Sequence, residues 1–253
     1  MVREDPLSVS QASVNKKSIP VREYVQQTFV PLSRLVHDWE MHSAVALSPS
    51  EERTMVREPA RAVPQAIARR VGKLRILLVP FVACSPSGDR VAFSNPQGEK
   101  HSAVWLENRN RIDLVLASRD LDPHDTGWEF LASVAELLRV RLTPEEVSRY
   151  TSMLKEELSQ GFEGEIDEEA YQAKQPLRRR NLWSRTGPQF LKYRDVSFTS
   201  TCAEYIHGLW HDVQIRLGPE HLPVPVLRQR MILMAEMFPP NPGYELFAEG
   251  EQT

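Results

Sequence analysis

The longest apolar run in the chain, Ile76 to Cys84, is nine residues long and carries Pro80 inside it. A helix that crosses a bilayer needs about 20 apolar residues, so no transmembrane helix is expected. A run this short suits a strand. Leu74 to Val82 is apolar on both faces, which predicts a strand at the centre of a sheet. Around it the apolar period falls toward that of strands over Val91 to Phe93, Ala103 to Glu107 and Ile112 to Ala117. The separators Ser85-Pro86-Ser87-Gly88-Asp89, Asn95-Pro96-Gln97-Gly98 and Asn108-Arg109-Asn110 are turn formers, which predicts a small sheet joined mainly by hairpins.

Elsewhere the period is helical. Val25, Phe29, Leu32, Leu35, Val36 and Trp39 recur at three- and four-residue steps and predict an amphipathic helix from Ser18 to about Val45. A cap at Ser48 opens a second helical region that ends near Gly72, with breaks expected near Pro59 or Pro64. Thr126 with Glu129, and Thr143-Pro144 with Glu146, are capping-box arrangements that predict two consecutive helices. Further helices are expected over Ser197 to about Leu217 and Pro225 to Phe238, the last stopped by Pro239-Pro240-Asn241-Pro242-Gly243. Residues 160–187 carry two glycines, an acidic cluster and then Arg178-Arg179-Arg180, and read as a long surface excursion.

The predicted architecture is therefore α+β: helix-rich, with a small, mainly antiparallel or mixed sheet. A single domain over 18–247 is expected between a flexible tail at 1–17 and a short one at 248–253. The 253 residues suffice to bury a core without staples, and the net charge of −3 removes any bulk attraction to nucleic acid or an anionic membrane. The polar start predicts cytoplasmic residence. Cys84 and Cys202 lie far apart without a Cys-x-x-Cys pair, so both are expected to be buried thiols, with no thiolate zinc site legible.

The strand Ile112 to Ala117, a short polar loop and the helix containing Phe130 to Leu138 together resemble the edge strand and active-site helix of zincin metallopeptidases. Ala203-Glu204-Tyr205 is similar to the element that supplies the third zinc ligand in the gluzincin branch. The resemblance implies a zincin-like topology, and it also implies lost chemistry. Zincins place His-Glu-x-x-His on that helix, two imidazoles for zinc and a carboxylate that deprotonates the attacking water. Ala132, Ser133 and Glu136 stand at the matching places, so a working peptidase of this type is not expected.

Glu204, His207 and His211 share one face if their helix continues, and two imidazoles with a carboxylate form a ligand set for zinc or iron. Glu136 could complete it if the two helices face each other. The same residues also read as a polar stripe beside an apolar one, in which case no cofactor is needed. His37-Asp38-Trp39-Glu40-Met41-His42 and the loop around His124 read as solvated polar segments. Arg178, Arg179, Arg180 and Trp183 form the basic patch that mixes cations with aromatics and the candidate binding surface, with nucleic acid the less favoured partner. The expectation for function is a binding protein on a degenerate zincin-like scaffold that engages a protein partner or a second copy. The alternatives are a metal-dependent hydrolase through Glu204, His207 and His211, and nucleic-acid binding through Arg178 to Arg194.

Overall fold

The computed structural model describes residues 18–179, 186–211, 213, 215–216 and 218–247, with the side chains of 178 and 179 excepted. Both expected tails, 1–17 and 248–253, lie outside the described residues. The fold is α+β. The stretch read above as one domain contains two compact units, one built from the chain up to Glu52 with Lys73–Thr126, the other from Arg53–Gly72 and Gly127 onward.

The first unit holds β1 (Ser18–Pro20), α1 (Val21–Tyr24), β2 (Ser33–Arg34), β3 (Glu40–Ser43), α2 (Pro49–Glu52), β4 (Leu74–Val79), β5 (Phe81–Ala83), β6 (Arg90–Ala92), β7 (Lys100–His101), β8 (Ala103–Glu107) and β9 (Ile112–Ala117). They form two sheets. One is antiparallel in the order β1-β6-β5-β7, and the other is mixed in the order β2-β3-β4-β9-β8. β4 is central, as its two-sided apolarity predicted, and pairs in parallel with β3 and β9. Pro80 ends it, and the chain continues at once as β5 in the other sheet. Ile112–Ala117 is flanked on both sides, by β4 and β8, so it is an internal strand rather than the edge strand of the zincin comparison.

Leu77, Val79, Val82, Val91 and Val115 are fully buried against Tyr24, Val25 and Phe29. Each such side chain removed from water contributes about 1.5–3 kcal/mol. Inside this core Arg75 and Asp113 stand opposite each other in the β4–β9 ladder and pair at 2.7 Å. Asp113 also accepts from Asn108 at 2.7 Å and Arg111 at 2.9 Å, while the Arg75 guanidinium lies over the Phe29 ring at 4.9 Å.

The helix expected from Ser18 to Val45 does not form. One helical turn, α1, is followed by irregular chain, a 3-10 turn at Val36–Asp38 and strands β2 and β3. Pro31, which follows Val30 through a cis peptide bond, has no N–H to donate in a helix interior and its ring would clash there. The apolar residues divide accordingly: Val25, Phe29 and Trp39 are buried, whereas Val30 is 78% exposed.

The second unit holds α3 (Glu58–Ala62), α4 (Gln65–Val71), α5 (Pro123–Arg139, whose first turn precedes the boundary), α6 (Pro144–Ser159), α7 (Glu168–Arg179), α8 (Pro188–Trp210) and α9 (Val224–Met237). The Ser48 cap is present, with Ser48 and Glu51 exchanging hydrogen bonds, and a π-helical turn at Arg53–Arg57 leads into α3. The helical region breaks at Pro64. Asn241 caps the break, its Oδ1 accepting from Gln65 N at 2.9 Å and its Nδ2 donating to Val63 O at 2.8 Å. Gly72 ends α4 at φ 84°, where a side chain would be strained.

The Thr143 capping box forms as predicted. The Thr126 box does not, because α5 starts one turn earlier: Asp122 accepts from Asp125 N at 2.9 Å and Pro123 occupies the first turn. Thr126 donates back to Asp122 O instead. The surface excursion expected at 160–187 is also corrected over its described part. Residues 168–179 are helix α7, packed on α8, with Ala170, Lys174 and Leu177 buried. Pro176 inside the helix and the dense charge conceal this from the sequence. Among the described residues no helix is long and apolar enough to cross a membrane.

Candidate functional site

On α5, the side chains of Ser133 and Glu136 are engaged in internal bonding. Ser133 donates to Glu129 O at 2.8 Å. Glu136 accepts from Arg139 Nε at 2.9 Å and from Thr199 Oγ1 at 2.8 Å, and Arg139 reaches on to Asp195 at 3.2 Å. Burial pushes the Glu136 carboxyl up, but the hydrogen bonds from Arg139 and Thr199 outweigh it and hold the group below the usual range. It is an ionised structural carboxylate.

On α8, Glu204 and His207 are buried, while the helix ends at Trp210 and His211 adopts an extended backbone at its C-cap. The first two residues therefore stand on the helix as predicted, whereas His211 lies just past its end. The His207 ring lies 5.2 Å from Trp128, 5.8 Å from Trp210 and 5.5 Å from His211, inside an aromatic cluster. Among the described residues, Glu136, Glu204, His207 and His211 do not bring three ligand atoms within 4.8 Å of one another. Of the basic patch, Arg178 and Arg179 end α7 with undescribed side chains, and Arg180 and Trp183 lie outside the described residues.

A buried polar assembly in the second unit was not legible in the sequence. Arg230 of α9 is fully buried and forks between two carboxylates, meeting Glu157 at 2.6 Å and Glu165 at 2.8 Å. Lys174 pairs with Glu165 at 3.2 Å and donates to Gly164 O at 2.9 Å. Tyr193 donates to Glu165, and Tyr150 bonds Ser197 and Thr201, whose hydroxyls also face Arg230. Two cations answer two anions. Burial alone would raise the Glu165 carboxyl, yet the Arg230 and Lys174 charges and the hydrogen bonds hold it at about 2. Gly164 makes the approach of this loop feasible, since a Cβ there would lie 1.9 Å from His221 O. With its donors and acceptors matched internally, this assembly suits fixing four helices more than chemistry.

In the first unit, two open clefts of about 450 and 530 Å³ flank the β8–β9 turn and share Asn110 and Arg111. Arg34 and Lys73 line one, and Arg22 and Arg109 the other, all exposed. A separate turn, after β5, brings together Cys84, Asp89 and His101. Cys84 is half-buried, contrary to expectation, whereas Cys202 is buried. Partial burial and then the nearby Glu99 and Asp89 charges push the Cys84 thiol up, which disfavours a nucleophilic thiolate. Comparison of the chain with protein-family models and with curated proteins finds no match.

Proposed function

We propose that the chain is a binding protein without peptidase chemistry, and that its partner is an acidic segment of another protein. The observation that carries the reading is the pair of clefts around Asn110 and Arg111. Their volumes fall in the range of ordinary ligand sites, roughly 300–1,000 Å³. Five cations, Arg22, Arg34, Lys73, Arg109 and Arg111, line them. Asp38, Glu40 and Glu107 oppose these, and Arg111 is itself paired at 2.9 Å with Asp113, a carboxylate that Arg75 also answers. A local cationic surface on a chain of net charge −3 selects an acidic partner through the arrangement of its charges rather than through bulk attraction.

The Ser133 and Glu136 bonding supports the negative half of the reading, because those side chains are committed to structure. Titration with an oligoglutamate peptide, followed by tryptophan fluorescence because Trp39 lines one cleft, tests the positive half. Saturable binding that weakens with salt and is lost in an Arg34→Glu/Arg109→Glu variant is expected. Binding unchanged by those substitutions, or none at low salt, overturns the proposal.

A further inference from the structure

The β5 strand is the middle member of a three-strand antiparallel set, and its ladder continues one residue past Ala83. Ala83 pairs with Arg90 on one side and with Lys100 on the other, so the next positions out are Cys84 between Asp89 and Glu99. The Cys84 N–H donates to Glu99 O at 3.0 Å, which confirms the extension on the β7 side. His101 pairs with Val82, two residues back, and therefore stands diagonally from Cys84 on the same face of the sheet. The turn Ser85 to Gly88 closes with Gly88 at φ 106° and Gly88 N donating to Ser85 O at 2.9 Å, and it returns Asp89 to this face.

Three different donor atoms meet as a result. Cys84 Sγ lies 2.7 Å from His101 Nε2, and Asp89 Oδ1 lies 3.4 Å from the same nitrogen. A hydrolytic Cys-His-Asp relay needs the thiol and the carboxylate on opposite ring nitrogens, so that one orients the ring while the other exchanges a proton. Here both converge on Nε2, which has a single lone pair or a single hydrogen to offer. A cation centre needs ligand atoms grouped around a common point, and the Cys84, Asp89 and His101 donors lie within 4.8 Å of one another.

We propose that Cys84, Asp89 and His101 form a binding site for a divalent transition-metal ion of the zinc class. The donor set of thiolate, imidazole and carboxylate belongs to zinc and its neighbours and not to calcium or magnesium, which take oxygen. The dimensions fit with small movement. Zinc bond lengths of about 2.0–2.1 Å to nitrogen and 2.0–2.2 Å to oxygen, at a tetrahedral angle, place those two donors about 3.4 Å apart. That is the Asp89–His101 separation present. A sulfur at about 2.3 Å from the ion requires about 3.5 Å to the nitrogen, so Cys84 and His101 separate by less than about 1 Å on binding. The Asp89 and His101 side chains are 39% and 43% exposed and have room to do so. Three protein ligands at a partly open turn leave a fourth position for water or for Glu99.

Cobalt(II) titration of the metal-free protein tests the site directly. A thiolate-to-cobalt charge-transfer band saturating at one equivalent, displaced by zinc, is expected. Cys84→Ser and His101→Asn should each weaken binding by more than about 100-fold, beyond the roughly 10–100-fold that losing a ligand's outer hydrogen bond costs. His211→Ala should leave it unchanged, which separates this site from the α8 histidines. Zinc should also protect Cys84 from alkylation in the native wild type, a readout that survives if a variant fails to fold. Absence of the band, or binding lost in His211→Ala and retained in Cys84→Ser, overturns the proposal.

Discussion

Around Arg230, cations, carboxylates and hydroxyls are buried together and answer one another. Around Cys84, Asp89 and His101, the donors meet at a half-exposed turn and converge on one nitrogen that cannot serve both of its neighbours. The first arrangement is closed to solvent and matched in charge, two against two. The second is open and rich in acceptors. Buried ionic assemblies of the first kind hold a fold to one geometry, because each member left alone would be an uncompensated charge. An open cluster costs the fold little and keeps its lone pairs for something arriving from outside.

That contrast breaks if removing the closed assembly's centre is tolerated. Arg230→Met, which leaves Glu157 and Glu165 buried without their common cation, is expected to cost about 3–5 kcal/mol in denaturant unfolding. A loss below about 1 kcal/mol would place the assembly among ordinary surface pairs. Gly164→Ala should come next, at about 1–3 kcal/mol, since its Cβ would meet backbone at His221 that cannot swing aside.

Acid titration sharpens the contrast further. The Glu165 carboxyl is held at about 2, below its value in an unfolded chain near 4.3, so the stability it contributes is complete above about pH 5. It should be lost as pH falls from there toward 2. Thermal scans across that window should show the wild type losing midpoint more steeply than a Glu165→Gln variant. At the open turn, Cys84→Ser in the metal-free protein should change stability by less than about 0.5 kcal/mol. Alkylation of native protein should mark Cys84 and spare the buried Cys202, and labelling of both at equal rates would remove the distinction between the two thiols.

Local grammar was legible in the sequence where a residue's partner lies within a few positions. The Thr143–Glu146 box, the Ser48 cap, the Gly72 stop and the two-faced strand at Leu74 all depend on neighbours of that kind. Apolar spacing misled at Val25 to Trp39, where Pro31 forbids the helix that the spacing suggests. Charge misled at Glu165, Lys174 and Arg230, because a sequence displays a charge without its counterpart 65 residues away. The Cys84 cluster escaped for a related reason. Its members are brought together by strand register, Ala83 beside both Arg90 and Lys100, and register is fixed by pairing that spacing along the chain does not encode.

Pro80 is the sole residue between β4 and β5, and those strands belong to different sheets. A joint of one residue has no slack to absorb a slip. Any shift of β4 along its two parallel neighbours is handed directly to β5, and four residues past the joint the chain reaches Cys84. An ion gripped at that turn would thus brace a strand that the joint ties directly to the centre of the other sheet.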